Sequence, residues 1–239
     1  MKSKARTLAV LALLPLAAMF ARAERPDPRT PAGQLAVCGG ATSWKAVGYL
    51  EFEVKITNVA GVQGPYRYRW DRRNGLVWFT GPSATGSKLD VALDLGTRTG
   101  GAWEDGTQLT DHRLTEATGW AVQRFGEHVL WLTFPLEWGA AGVTVTPLAD
   151  ATGSDGKVYP AVEVKSPAGV WRTLLDPASG RVLQTPATRR GGSPLTEIWE
   201  DWRPNGGVLF AAKHTIVETG QTVDVAVYKA QPEAPRDAF

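Results

Sequence analysis

"YLEFEVKI", residues 49–56, decides how this chain is read. Leu50, Phe52, Val54 and Ile56 alternate with Tyr49, Glu51, Glu53 and Lys55, so one face is apolar and the other polar. A period of two belongs to a strand, whose successive side chains point to opposite faces. One covered face and one wet face is the pattern of an antiparallel sheet.

The alternation continues outward. "PYRYRWDR" (65–72) sets Tyr66, Tyr68 and Trp70 against Arg67, Arg69 and Asp71, and Asn74-Gly75 then turns the chain into "LVWFTG" (76–81). Asn-Gly supplies the positive φ that tight hairpins need. "KLDVALDLG" (88–96) alternates Leu89, Val91, Leu93 and Leu95 with Asp90, Ala92 and Asp94, and "GGAWEDGTQLT" (100–110) is a shorter candidate. Strands return as "VTVTPLA" (143–149), "KVYPAVEVKS" (157–166), "GVWRTLLD" (169–176), "RVLQTPAT" (181–188), "LTEIWEDW" (195–202), "VLFAAKHTIV" (208–217) and "TVDVAVYK" (222–229). "DPASG" (176–180) places Pro177 and Gly180 as a tight turn requires.

Two stretches have a helical period. Leu114, Ala117, Ala121, Phe125, Val129 and Leu132 fall three or four apart, an amphipathic stripe over Arg113–Leu132 that Pro135 should end. Gly119 and Gly126 each cost up to about 1 kcal/mol relative to Ala, which leaves room for a break. "AGQLAVCGGATSWKAV" (32–47) reads as a short helix stopped by Gly39-Gly40. About a dozen short strands joined by short loops predict a meander. A sheet so wide curls, and its apolar face must be covered. The expected fold is mainly β: a curled, incomplete antiparallel β-barrel with a helical lid over its concave face. One such domain fills residues 32–230, between a flexible lead-in (24–31) and a polar tail (231–239).

The N-terminus sets the address. Lys2, Lys4 and Arg6 precede the apolar "TLAVLALLPLAAMF" (7–20), and "ARA" (21–23) has cleavage spacing. That is a secretory signal peptide, too short for a stable spanning helix. The mature protein is expected to be periplasmic, soluble and without a transmembrane anchor. Leu35-Ala36-Val37-Cys38 resembles a lipid-acylation site, but arginines, Glu24 and Asp27 separate it from the apolar run, and Val37 is bulky. Cys38, the only cysteine, is instead expected to be a small helix residue, half-buried and without a disulfide partner. Removing the four basic residues of the signal takes the formal charge from +2 to −2, which gives no footprint for nucleic acid.

The segments "CGGATSWKAVGYLEFEV" (38–54), "FPLEWGAAGVTVTPLADATGSDGKVYPAVEV" (134–164), "VWRTLLDPASGRVLQ" (170–184) and "WEDWRPNGGVLFAAKHTI" (199–216) carry a family resemblance. In this order and spacing they resemble bacterial periplasmic proteins of LolA-like fold, which include a lipoprotein carrier and its receptor. They are most similar to the uncharacterised secreted relatives. The resemblance implies an incomplete barrel lidded by helices, and in carriers of this fold the cavity holds acyl chains. The carrier's ligand-contacting residues do not map onto positions here, so lipoprotein transport is not implied.

Three functions compete. The first is a non-catalytic carrier or sensor for a lipid or acyl chain. Its candidate lining is Leu50, Phe52, Val54, Val91, Leu93, Trp120, Phe125, Trp131, Trp138 and Trp171; against it, each residue alone reads as packed core. The second is a carbohydrate-binding or other envelope-interaction module using exposed indoles, with Trp70, Trp78, Trp103, Trp199 and Trp202 as candidates. Trp199 and Trp202 would point to opposite faces of a regular strand unless a bulge intervenes. The third is an enzyme, and no catalytic motif supports it. "GGSPL" (191–195) makes Ser193 a turn residue, His128 belongs to a polar helix face, and Glu197, Glu200 and Asp201 are solvated charges. Neither cofactor nor metal is expected. A second envelope protein fits as a partner, and oligomeric state is open.

Overall fold

The computed structural model describes residues 25–58, 60–188 and 194–239. The segment expected to be a signal peptide (residues 1–23) and Ser193 lie outside the described residues.

Among the described residues, thirteen strands form one antiparallel sheet. A first meander contains β1 (Tyr49–Asn58), β2 (Gly61–Asp71), β3 (Leu76–Pro82), β4 (Lys88–Asp94), β5 (Thr99–Glu104) and β6 (Thr107–Gln108). A second contains β7 (Thr144–Thr152), β8 (Val158–Ser166), β9 (Gly169–Leu175), β10 (Val182–Thr188), β11 (Pro194–Asn205), β12 (Val208–Ile216) and β13 (Gln221–Gln231). They are joined side by side where β1 pairs with β13, Val54 opposite Val225 and Ile56 opposite Val223. The sheet does not close: β6 and β7 are its two edges.

Between those edges runs one helix, α3 (Asp111–Thr133), continued by a 3-10 turn over Phe134–Glu137. Pro135 lies in that turn, where it has no N–H to continue α-helical bonding. The helix is unbroken. Gly119 and Gly126 both lie on its outer side, where an added Cβ would meet nothing within 4 Å, so they weaken α3 without kinking it. Its buried stripe is Ala117, Ala121, Phe125, His128 and Leu132, and it touches β4, β5 and β12. His128 therefore belongs to the covered face, a correction to its reading as polar surface: from Phe125 to Leu132 it occupies the intervening turn of the same stripe.

Beneath α3 the expected alternation is realised. Leu50, Phe52, Val54, Tyr66, Tyr68, Val77, Phe79, Leu89, Val91 and Leu93 form the main core. A second cluster gathers Phe134, Trp138, Val162, Val164, Leu175, Val182 and Trp199 under the helix exit. The outer face is less wet than alternation suggests, for Glu53 is buried under Arg67 and Lys55, which bind its carboxylate at 2.7 and 3.1 Å.

The N-terminal helix is two short ones, α1 (Pro31–Val37) and α2 (Ala41–Ala46), separated at Gly39 and Gly40, both at positive φ. Thr30 caps α1, its hydroxyl accepting from the Gly33 amide at 3.1 Å. Gln34 ties this region to the predicted turn, donating to the carbonyls of Pro28 and Gly180. Cys38 ends α1 fully buried rather than half-buried, because the Leu209 amide docks on its carbonyl. The polar tail folds back: Arg69 donates to the Ala238 carbonyl and Phe239 meets the Tyr49 ring edge-on at 6.4 Å.

Candidate functional site

The ten candidate lining residues divide by place. Leu50, Phe52, Val54, Val91, Leu93 and Phe125 are tightly buried in the main core, where Phe52 stacks on Tyr68 at 4.8 Å and Phe125 meets Trp70 edge-on at 5.2 Å. Trp138 is buried in the second cluster with its indole N–H unpartnered. Trp120, Trp131 and Trp171 are half-buried and line openings beside α3.

Two openings flank the helix. Near its start, a cleft of about 520 Å³ has Leu89, Leu109, Ala117 and Trp120 as an apolar floor, with Ser83, Thr85, Glu104, Arg113 and Glu116 around it. That volume lies within the roughly 300–1,000 Å³ of small-molecule sites, which combine apolar walls with a few polar groups. Arg124 lies 4.1 Å above the Trp120 ring and holds it in place. Leu109 reaches the floor because its amide bonds the Ala102 carbonyl, just before Asp111 starts α3 at a φ of 52°. Near the helix exit, a pocket of about 180 Å³ is lined by Trp131, Phe134, Trp171, Trp199, Thr185 and Glu197, among others.

A row of buried polar and aromatic groups adjoins that pocket. The Tyr68 hydroxyl lies 2.7 Å from His128 Nδ1, and the His128 ring stacks on Trp131 at 5.3 Å. Trp131 neighbours His214 at 6.3 Å, and His214 Nδ1 lies 2.8 Å from Glu197 Oε1. That last contact is close without being aligned, since neither atom has a hydrogen-bond partner of good geometry. Trp199 donates to Thr185 Oγ1 at 2.9 Å, and that hydroxyl makes a long 3.4 Å contact to Glu197 Oε2. Burial, helped by the charge of Arg124, pushes His128 down to about 3, so the imidazole is neutral at pH 7. Burial likewise raises the Tyr68 phenol.

Glu197 is thus not a solvated charge; register places it opposite Thr185 on the covered face, with its side chain 14% exposed. Glu200, on the other face, does reach solvent and binds Thr215. His214, fully buried opposite Trp199, carried no local signal at all; only the pairing of β11 with β12 brings it to Glu197.

The five candidate platform indoles do not share a surface. Trp78 and Trp103 stack at 5.8 Å on the outer face, and Trp70 lies under α3. Trp199 and Trp202 stack at 6.2 Å on the covered side, because Asp201 between them takes a φ of 53° and turns Trp202 round. Among the described residues, no group of three or more His, Cys, Asp or Glu could hold a metal ion, and no helix is long and apolar enough to cross a membrane. No protein-family model matches the chain, and no curated protein matches it significantly.

Proposed function

We propose that this is a non-catalytic binding protein of LolA-like fold, a periplasmic carrier or sensor that holds an apolar, acyl-like ligand between α3 and the sheet. The observation that carries the reading is the cleft of about 520 Å³ floored by Leu89, Leu109, Ala117 and Trp120. Hydrocarbon laid there gains about 0.8 kcal/mol per buried CH₂, and the polar rim leaves a headgroup in water. That cleft opens beside α3, so the ligand lies along the flank of the helix, and release needs only the first turns of α3 to shift. Native mass spectrometry of the mature protein, purified without detergent, tests this. The expected result is a co-purifying acyl species, or saturable uptake of a fluorescent fatty acid that Ala117→Trp abolishes while circular dichroism is unchanged. A clean apo mass with no uptake overturns it.

The stacked Trp78–Trp103 pair supports a second reading, a carbohydrate or envelope-protein contact on the outer face. Glycan-dependent quenching that Trp78→Ala removes, without fatty-acid uptake, would favour it.

A further inference from the structure

The pocket at the helix exit differs in kind from the cleft at its start. At about 180 Å³ it is too small for a chain and suited to one compact group. Its walls are the rings of Trp131, Phe134, Trp171 and Trp199. Phe134 meets Trp171 at 5.4 Å and 64°, and Trp199 at 5.8 Å and 40°, so the rings enclose a space instead of stacking it shut. Aromatic faces carry negative potential and attract a cation lying within about 6 Å of their centroids.

The pocket also contains an anion short of partners. Glu127 lines it too, but is exposed and already paired with Arg124 at 3.0 Å. Glu197 is different: one oxygen has only the long Thr185 contact, and the other has no aligned donor among the described residues. Among those residues no lysine or arginine lies within ion-pair distance of it, His214 being its one basic neighbour. A largely buried carboxylate whose contacts are this poorly aligned gains from a further positive group. A primary ammonium would depend on Glu197 and on a Thr185 hydroxyl that already accepts from Trp199, and the four aromatic walls offer its N–H groups nothing comparable. A methylated ammonium needs no acceptor, only aromatic surface and a nearby negative charge.

We infer that the pocket formed by Trp131, Phe134, Trp171, Trp199 and Glu197 binds a quaternary ammonium group, either on a free small molecule or on a lipid headgroup. The inference is independent of the acyl cleft near Trp120. Isothermal titration of the mature protein with choline, and with its uncharged isostere 3,3-dimethylbutan-1-ol, tests it directly. Choline should bind at least tenfold more tightly than the isostere. Glu197→Gln should lower choline affinity at least tenfold while leaving the isostere's unchanged. Trp171→Leu, at a half-buried position, should weaken choline binding and provides the test if the Glu197 variant does not fold. Sedimentation with phosphatidylcholine vesicles but not phosphatidylglycerol vesicles, reversed by free choline, would identify a lipid source. Choline binding without sedimentation would identify a soluble one. Equal affinity for choline and its isostere, or no choline binding by the folded wild type at millimolar concentration, overturns the inference.

Discussion

Replacing both Gly119 and Gly126 by alanine should make the protein more stable and α3 stiffer. Both glycines lie within α3 and on its exposed side, and a Cβ at either would meet no atom within 4 Å. Each substitution therefore adds no clash and removes the entropic cost of a mid-helix glycine, about 0.8–1 kcal/mol. The sites are seven residues apart, about 10 Å along the axis, so the gains should add to roughly 1.6–2 kcal/mol. For a domain of this size that corresponds to a Tm rise of roughly 3–8 °C. Thermal melts and urea titrations followed at 222 nm measure it, with an unchanged urea m-value confirming that the unfolding transition is the same. If bound ligand leaves by distortion of α3, its dissociation rate should fall in the same variant. A double variant no more stable than wild type would refute the reasoning, because the helix would then be broken at these positions in solution.

Acid should act through His128. Its imidazole sits near 3 in the folded protein against 6.5 as a free group, so only the unfolded chain takes up the proton as pH falls below 6.5. Stability is then lost with falling pH, by up to about 1.4 kcal/mol per unit between 6.5 and 3. Unfolding free energies from urea titrations should fall between pH 7 and 4.5 by about 2 kcal/mol more for wild type than for His128→Gln, and parallel losses would count against it. Cys38 is 1% exposed and its thiol is pushed up to about 12 by burial, so Ellman's reagent should label it only on unfolding; rapid native labelling would contradict the α1 packing. Asp201→Val should cost about 1–2 kcal/mol, because a β-branched residue resists the left-handed φ, whereas Asp201→Asn should be near neutral. Comparing their urea midpoints separates the two. Phe125→Ala should cost about 3–5 kcal/mol by opening a cavity against Tyr68 and Trp70, read in the same titration.

The sheet was legible because its signals are local. Period-two runs identified β1 to β4, and Asn74-Gly75 marked a turn in which Gly75 has a φ of 69° and Asp71 accepts from the Arg73 and Asn74 amides. The helix stripe was legible too, apart from His128, whose polarity hid its place between Phe125 and Leu132. What escaped depends on pairing across strands. Glu197 looks like one more charge until β10 sets Thr185 opposite it and β12 brings His214 alongside. Trp202 joins Trp199 only because a single residue, Asp201, departs from the extended conformation on which the alternation rule depends. The ten candidate lining residues were found by their apolarity, which distinguishes covered from uncovered positions but not filled space from empty.

The pairing of β1 with β13 has a consequence for how the chain matures. Residues 49–57 bond to residues 222–231, whereas every other strand pair except β1–β13 joins neighbours in sequence. Each meander can assemble from local contacts, but the backbone edge of β1 waits for β13, a strand made long after it. Until it arrives, half of a wide sheet presents an unpaired strand beside an incompletely covered apolar surface. Premature termination anywhere upstream of β13 should thus yield a sticky, protease-sensitive fragment instead of a smaller working protein.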